Sequence, residues 1–488
     1  MLSMKKYMFF IIAVLSCFGT LKAIPKKDIQ LQFRDNGQFK IAQFTDIHWS
    51  NKSPNCTKTT DVIKHVLATE KPDLAVLTGD VVTDAPAREG WLAIAGIFEE
   101  AQIPWAVTLG NHDAETGVSR NEIFDIIENL PYFVGEKGPQ ITGCGNYTLP
   151  VNSSKEARTA ALLYCIDTNN KPPAHKYGHY DWIHFDQIEW YRNTSDKFTV
   201  RNNNTPLPAL AFFHIPILEF NNIVGNENTI GYKEEGIASP EINSGMFCSM
   251  IEKKDVMGIF VGHDHDNDYI GIDQGIALAF GRTSGMDAYG KLERGSRIIL
   301  MYEGKSQFDT WIRTKEGTEF KYYYPSGLSS VDEESMTYLA AKSIKVKQQG
   351  VSYSYYEGKR FRNTGEIAQE KPVKNGILKN ISIDPATAQD SMAFVFKTWI
   401  KIPEKSVYRF YTYSDDGSKL FIDGQLVVDN DGSHSMRRAD GKVALDKGFH
   451  ELTVLYFEDY MGEMLEVGYS SRNIREDILP DNILFIAE

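Results

Sequence analysis

Residues 39–48 read FKIAQFTDIH, an apolar run that is followed at once by Asp46 and His48. A short apolar run of this kind is typical of a buried strand in an α/β protein. Positions i and i+2 of a strand lie on one face, so these two side chains can bind one ion together. A single Asp-x-His is common by chance, and its weight depends on whether the pattern recurs.

The pattern recurs after later apolar runs. These runs cover residues 74–77, 105–109, 209–213 and 256–261. They are followed by Asp80, by Asn111 with His112 and Asp113, by His214, and by His263 with His265. Sites in open α/β sheets form at the carboxyl ends of strands, so we expect these side chains to lie together. Imidazole and carboxylate ligands in combination suit Mn, Fe or Zn.

Helical patterns separate several of the runs, at residues 58–69, 89–100 and 119–128. This alternation predicts an α/β layered domain, which we place at residues 30–315. A strand-rich later part favours a mixed sheet. The pattern weakens over residues 316–349, where we predict a linker.

The chain changes character after Gly350. Runs of β-branched and aromatic residues alternate there with turn signals such as Asp416-Gly417 and Asp423-Gly424. This pattern predicts an all-β sandwich or barrel over residues 350–488.

The first 23 residues form a separate segment. Lys5 and Lys6 precede an apolar run at residues 7–18, and Ala23 follows it. That order is typical of a secretory signal peptide, and the run is too short to span a bilayer. A lipoprotein processing site at Cys17 is the alternative, which would give a lipid-anchored envelope protein. We therefore predict a secreted or periplasmic protein without a transmembrane segment.

Charge and cysteine content narrow the function classes. The 52 basic and 65 acidic residues give a net charge of −13. Nucleic acid is not an expected partner, because binding a phosphate backbone needs a basic face. Outside the leader the cysteines are residues 56, 144, 165 and 248, and export would permit disulfides in any of three complete pairings. The lack of a Cys-x-x-Cys pattern argues against a cysteine zinc site.

The ordered series of strand-terminal ligands resembles the calcineurin-like metallophosphoesterase superfamily. Four further segments are similar to compact purple-acid-phosphatase-related proteins of plants and fungi: GCGNY at 143–147, FHIP at 213–216, NSG at 243–245 and GHDHDND at 262–268. The resemblance implies a β-sandwich flanked by helices. It also implies two divalent or mixed-valence ions (Fe, Mn or Zn), with the ligands divided between them.

In that division, Asp46, His48 and His265 would hold the first ion, Asn111, His214 and His263 the second, and Asp80 would bridge them. His112 would be the catalytic imidazole beside the leaving group, oriented by Asp113. Purple enzymes place a Tyr three residues after the bridging Asp, where this chain has Thr83. A ferric–tyrosinate colour is therefore not predicted.

The predicted function is hydrolysis of phosphate monoesters by attack of a metal-bound hydroxide, with His112 assisting the leaving group. A phosphodiesterase or nucleotide hydrolase is the chemical alternative. A glycan-binding protein with a relic phosphoesterase domain is the alternative from another class. Arg282 and Tyr289, in a later glycine-rich loop, are further candidates for contact with substrate phosphate.

The C-terminal region resembles the PA14 family of β-sandwich domains, through segments such as SDDGS at 414–418, DNDG at 429–432 and GFH at 448–450. In lectin-type members an Asp-Asp pair binds Ca²⁺, which in turn binds sugar hydroxyls. The resemblance thus makes Asp415 and Asp416 calcium and glycan candidates, with Asn430 as a helper. SDDGS is also an ordinary turn sequence, and a purely structural role stays open.

Overall fold

The structure is a computed structural model that describes residues 29–488. The predicted signal peptide, with the alternative lipid site at Cys17, lies outside these residues. The helices are α1 Cys56–Glu70, α2 Ala87–Ala101, α3 Arg120–Ile127, α4 Phe185–Arg201, α5 Met246–Lys253 and α6 Ser330–Ser335. The helical patterns at 58–69, 89–100 and 119–128 thus correspond to α1, α2 and α3.

The first domain contains two sheets. Its strands are β1 Gln38–Phe44, β2 Leu74–Thr78, β3 Trp105–Thr108, β4 Tyr147–Asn152, β5 Thr159–Cys165, β6 Ala209–Phe212, β7 Val256–Val261, β8 Ile270–Asp273, β9 Ile276–Phe280, β10 Gly295–Tyr302, β11 Phe308–Thr314, β12 Thr318–Tyr324 and β13 Leu328–Ser329. One sheet has the order β13-β12-β11-β10-β1-β2-β3, and the other has the order β4-β5-β6-β7-β9-β8. Both are mixed, because β1 pairs parallel with β2 but antiparallel with β10, and β9 pairs parallel with β7 but antiparallel with β8.

The two sheets pack face to face over a shared apolar core. Phe44 and Leu77 of the first sheet and Leu163 and Phe260 of the second are fully buried in this core. On the outer face of the second sheet, α4 and α5 cover a separate apolar cluster that includes Tyr191. The predicted β-sandwich flanked by helices is confirmed. Its strands are short and apolar because both of their faces are covered.

The first sheet extends into the predicted linker. Strand β12 pairs with β11 and β13 pairs with β12, so the sheet ends only at Ser329. The side chain of Ser329 then caps α6 by accepting from the N–H of Asp332. The pattern is weak over this stretch because β12 lies close to the sheet edge and its first four residues are only partly covered. The predicted linker, 316–349, is therefore too long at its start. The segment that connects the two domains begins after β13 and ends at the first C-terminal strand.

The C-terminal domain is all-β, as predicted. Its strands are β14 Val346–Gln349, β15 Val351–Glu357, β16 Lys374–Leu378, β17 Met392–Ile402, β18 Ser406–Asp415, β19 Ser418–Ile422, β20 Gln425–Asn430, β21 Arg437–Leu445, β22 Gly448–Glu458, β23 Met464–Ser471, β24 Asp477–Ile478 and β25 Leu484–Ala487. An eight-stranded sheet centred on β17 and β22 faces the sheet β21-β18-β23-β24. Phe396, Phe410 and Val454 lie in the core between them.

The two domains are in direct contact. Arg472 donates to the Asp309 carboxylate over 2.7 Å, and its guanidinium lies 4.0 Å from the centre of the Tyr323 ring. Val407 and Ala444 pack with Tyr323 in a small apolar cluster at this boundary.

The four cysteines in the described part of the chain are all free. Among residues 29–488, no helix combines the length and apolarity that a bilayer crossing needs.

Candidate metal centre

The predicted ligands lie at one edge of the first domain, because the strands that precede them end there. Strands β1, β2 and β3 run parallel, and so do β6 and β7 of the opposite sheet. The connecting loops are joined by backbone hydrogen bonds. The N–H of Asp46 donates to Gly79 over 3.1 Å, and that of Gly262 donates to His214 over 3.0 Å.

The structure brings six of these side chains into two compact groups. Asp46, His48 and His265 form one, and Asp80, His214 and His263 form the other, with ligand atoms within 4.8 Å of one another in each. The seventh predicted ligand, Asn111, places its Oδ1 3.1 Å from His214 Nε2. This grouping matches the division between two ions that the family resemblance implies.

Asp80 faces both groups. Its Oδ2 is 3.3 Å from His214 Nε2 in its own group and 3.7 Å from His48 Nε2 in the other. This position is compatible with the bridging role that the family resemblance implies for Asp80.

The backbone at the ligand positions is unusual. Asp46, His48, Asp80 and His263 have φ values of 50°, 46°, 49° and 80°. Residues other than glycine seldom adopt this left-handed region, and each costs on the order of 1–3 kcal/mol that the surrounding structure must offset. Such residues cluster at functional sites, and here they are four of the seven predicted ligands.

Glycines beside the ligands allow the loops to approach closely. A Cβ on Gly79, whose φ is +86°, would overlap the ring of His214. A Cβ on Gly262 would overlap the hydroxyl of Thr45 and crowd the carboxylate of Asp46. The two sheets can therefore bring their ligands together only with glycine at these positions.

Several side-chain atoms of the predicted ligands have no hydrogen-bond partner among the described residues. They are Asp46 Oδ1, His48 Nε2, His263 Nε2 and His265 Nδ1, all buried. Buried polar atoms are nearly always paired, so four orphaned atoms in one cluster need an explanation. Metal coordination would satisfy Asp46 Oδ1 and His48 Nε2. His263 and His265 turn their other ring nitrogens toward the cluster, with His263 Nδ1 3.2 Å from His214 Nε2 and His265 Nε2 3.3 Å from Asp46 Oδ1. This mixed carboxylate and imidazole chemistry fits transition-metal ions.

The electrostatics of the two groups are strongly coupled. Burial would lower the pKa of His214, but the Asp80 carboxylate outweighs burial and raises that pKa to about 9. Burial would raise the pKa of Asp80, but His214 holds it well below its usual range. Burial and the neighbouring His214 charge lower the pKa of His263 to about 3. The carboxylates thus remain charged and draw positive charge into the site.

The role predicted for Asp113 is corrected by the structure. This buried carboxylate accepts from the N–H groups of Val81 and Val82 through Oδ1 and from Gly110 through Oδ2, at 2.8–3.0 Å. It therefore ties the loop that carries Asp80 to the loop that carries Asn111. It does not orient His112, since its oxygens point into these backbone groups.

His112 is held by another acid. Its Nδ1 lies 2.6 Å from Glu115 Oε2, and its backbone N–H donates to Asp80 Oδ1 over 2.8 Å. The ring is partly exposed beside the cluster, with its centre 5.9 Å from that of His48. Sequence reasoning missed Glu115, although its spacing of three residues from His112 was a usable signal.

Two tyrosines lie against the imidazoles of the cluster. Tyr289 stacks on His265 with ring centres 3.9 Å apart, and Tyr180 meets His263 edge-on at 4.6 Å. Tyr289, a predicted candidate, is therefore at the site. Arg282 is not available to substrate, because it is buried and paired with Asp268 and Glu319.

The C-terminal domain has a different, purely acidic cluster of Asp415, Asp416 and Glu458. Asp416 accepts from the N–H groups of His434 and Asp459, and Asp415 accepts from that of Met436. Glu458 Oε1 is buried and has no hydrogen-bond partner within residues 29–488. Burial and the charges of Asp416 and Asp415 raise the pKa of Glu458 to about 8.

Asn430 is not free to help bind an ion. Its Oδ1 accepts from Arg437 Nε over 2.8 Å, and its Nδ2 donates to Ser414 Oγ and to the carbonyl of Arg437 over 3.0 Å each. The third member of this cluster is Glu458, which comes from a distant strand and could not be identified by its spacing.

Comparison with known proteins agrees with these findings. The model of the calcineurin-like phosphoesterase family matches residues 39–267, and that of the PA14 domain matches residues 347–481. "Probable inactive purple acid phosphatase 29" of Arabidopsis thaliana is 31% identical over 365 residues, which are 68% of this chain and 94% of that protein. "Phosphatase DCR2" of Saccharomyces cerevisiae is 31% identical over 348 residues, 63% of this chain and 59% of that protein.

Among solved structures, a dimetal phosphatase from Danio rerio superposes with a TM-score of 0.42 at 11% identity, covering 58% of this chain and 98% of that one. Three observations point to the same family: the match of the family model, the similarity to a relative that is covered over 94% of its length, and the predicted ligands gathered at one edge of the first domain. This chain therefore belongs to the calcineurin-like phosphoesterase family and has a C-terminal PA14 domain.

Proposed function

We propose that this protein is an active, exported metal-dependent phosphatase that hydrolyses phosphate monoesters. The observation that carries the proposal is Asp80, whose Oδ2 faces imidazoles of both ligand groups. Relatives have names that include both "phosphatase" and "probable inactive", so membership of the family alone does not decide activity. The complete ligand set favours activity in this chain.

The residues of the proposed metal centre have separate roles. Asp46, His48 and His265 would hold one ion, and Asn111, His214 and His263 the other. Iron, manganese or zinc suit this ligand chemistry. Bound ions would supply charge that neutralises phosphate oxygens and activates water. Asp113 keeps the two ligand loops in register through its backbone hydrogen bonds.

His112 is the group for the departing oxygen. Its ring is accessible, lies beside the ligand cluster, and is fixed at Nδ1, so Nε2 can reach a bound ester. Proton donation from Nε2 would assist leaving groups that are strongly basic and therefore unstable as free anions. Tyr180 and Tyr289 border the cluster and would contact the organic part of the ester.

A substrate panel tests the proposal. Metal-loaded protein should hydrolyse 4-nitrophenyl phosphate and phenyl phosphate well above bis(4-nitrophenyl) phosphate and nucleoside triphosphates. His112→Ala should lower kcat on phenyl phosphate by ~10²-fold or more. His65→Ala on α1 is the matched control and should keep wild-type kcat. Preference for the diester would support the phosphodiesterase alternative, and no turnover of any ester by metal-loaded protein would contradict an enzyme.

Export is part of the proposal and rests on residues 1–23. The mass of the mature protein tests it: loss of the leader is expected, lipid on Cys17 would show the anchored form, and retention of Met1 would contradict export.

A second function, cation-dependent carbohydrate binding, is favoured by the orphaned Glu458 Oε1 beside Asp415 and Asp416. Oxygen ligands of this kind suit calcium. Titration of the full chain with CaCl₂ should show binding that Asp416→Asn weakens by ~10-fold or more, because one ligand charge is lost. Asp384→Asn, an exposed acid elsewhere in the domain, is the control. A titration without heat or stabilisation, or a glycan array without calcium-dependent signal, would contradict this function.

A further inference from the structure

The turn that follows His112 places one acid on the same face as its ring. Residues Asp113–Thr116 form a 3-10 helix that begins directly after His112. In a 3-10 helix, side chains three residues apart lie directly above one another. The N–H of Glu115 donates to the carbonyl of His112 over 3.0 Å, and the Glu115 carboxylate meets the ring at 2.6 Å. The backbone and the side chain of Glu115 therefore both contact His112.

The neighbouring acids cannot take this place. Asp113 is committed to the backbone N–H groups of Val81, Val82 and Gly110. Asp80 accepts from the backbone N–H of His112 and otherwise faces the imidazoles of His48 and His214. Glu115 is thus the acid that sets the orientation of the His112 side chain.

We propose that Glu115 is the positioning residue of the reaction, fixing the tautomer and rotation of His112 so that Nε2 faces the departing oxygen. The inference rests on the proposed phosphatase function. An ionised carboxylate only accepts hydrogen bonds, so the proton between the two side chains belongs to His112 Nδ1. Nε2 is then the ring atom left for the ester. It can donate a proton to the departing oxygen only when the ring carries both protons, and that donation leaves the ring as the Nδ1–H tautomer that Glu115 holds.

Glu115 acts through His112 and touches no substrate, so its effect depends on the leaving group. An ester whose leaving group is a stable anion, such as 2,4-dinitrophenolate, departs without proton donation. An ester of a more basic phenol needs the donated proton. Loss of the outer partner of a metal-ligating imidazole costs roughly 10–100-fold, and we expect an effect of the same order for the imidazole of His112. Misplacement of His112 should therefore slow the second ester and spare the first.

The experiment compares phenyl phosphate with 2,4-dinitrophenyl phosphate in the metal-loaded full chain. Glu115→Ala should lower kcat on phenyl phosphate by ~10-fold to ~100-fold and change kcat on the dinitrophenyl ester by less than about 3-fold, with little change in KM. Glu115→Gln, which can still accept from Nδ1, should recover part of the loss. Glu100→Ala, an exposed glutamate on α2, is the control and should match wild type on both esters.

Each result decides the inference. Equal losses on both esters would mean that Glu115 has a general structural role, and no loss on either would mean that His112 needs no partner; both overturn the proposal. Metal content and the thermal unfolding midpoint should stay at wild-type values, since Glu115 is half exposed and is not a predicted ligand. If the wild type hydrolyses neither ester, the proposed phosphatase function fails. That outcome is distinct from a Glu115→Ala variant that loses activity equally on both esters or on neither.

Discussion

The phosphoesterase domain and the PA14 domain each gather acidic side chains, but they balance that charge in opposite ways. Around Asp46 and Asp80 the partners are imidazoles, and the nearby His265 overcomes burial to lower the pKa of Asp46 to about 2. Around Glu458 the close neighbours are other carboxylates, and its pKa rises to about 8. Imidazoles keep the acids of the first cluster ionised, which suits the transition-metal ions proposed there, whereas repulsion among the carboxylates of the second cluster favours a proton on Glu458, which a bound calcium ion would displace.

The comparison shows that the side chains around a group of buried acids indicate which ion those acids suit. Orphaned buried atoms occur in both clusters, so burial without a partner does not distinguish them. The presence or absence of imidazole does, because it sets both the metal preference and the protonation of the acids.

The largest expected effect comes from removing the shared carboxylate of the imidazole cluster. Asp80→Asn should lower kcat/KM on 4-nitrophenyl phosphate by on the order of 10³-fold, about 4 kcal/mol of transition-state stabilisation, because both ion positions lose a ligand. Elemental analysis should show reduced metal content. Asp125→Asn, an exposed aspartate on α3, should keep activity and metal content. Wild-type turnover by Asp80→Asn would remove the contrast between the two clusters.

A smaller effect should appear in the stability of the calcium-free PA14 domain. The pKa of Glu458 is higher in the folded state than its usual value, so the folded protein binds more protons than the unfolded chain between about pH 5 and pH 8. Stability should therefore fall as pH rises through that window, by at most about 1.4 kcal/mol per pH unit. Thermal unfolding of the full chain in chelator measures this.

Glu458→Gln should flatten that part of the profile, since glutamine does not titrate. Glu463→Gln, another glutamate near the same strands that is not in the cluster, should leave it unchanged. A wild-type domain whose stability rises over this pH window would show that the carboxylates are not competing for one proton.

Much of the fold and of the imidazole cluster could be predicted from sequence, because both depend on local patterns. Each ligand directly follows a short apolar strand, and parallel strands end at one edge, so Asp46, Asp80 and His214 had to approach one another. The paired His263 and His265 gave a second independent indication.

The predictions were less successful where the outcome depended on where side chains point. Asp113 is nearest to His112 in sequence, but the 3-10 turn directs it inward and brings Glu115 to the ring. Asn430 looked available, yet Arg437 and Ser414 occupy its amide. Arg282 lies in a loop near the site, but burial with Asp268 removes it from solvent. Adjacency in sequence does not determine these three-dimensional pairings.

The contact of Arg472 with Asp309 and with the Tyr323 ring has a geometric consequence for catalysis at surfaces. This guanidinium joins the two halves of the molecule and opposes rotation of one half about the connecting segment. If both proposed functions hold, a molecule bound to a polysaccharide through its PA14 domain would hold the proposed metal centre at one height and tilt. Esters on the same polymer would then be cleaved only at positions within that fixed reach, whereas small diffusing esters would be cleaved without such spacing.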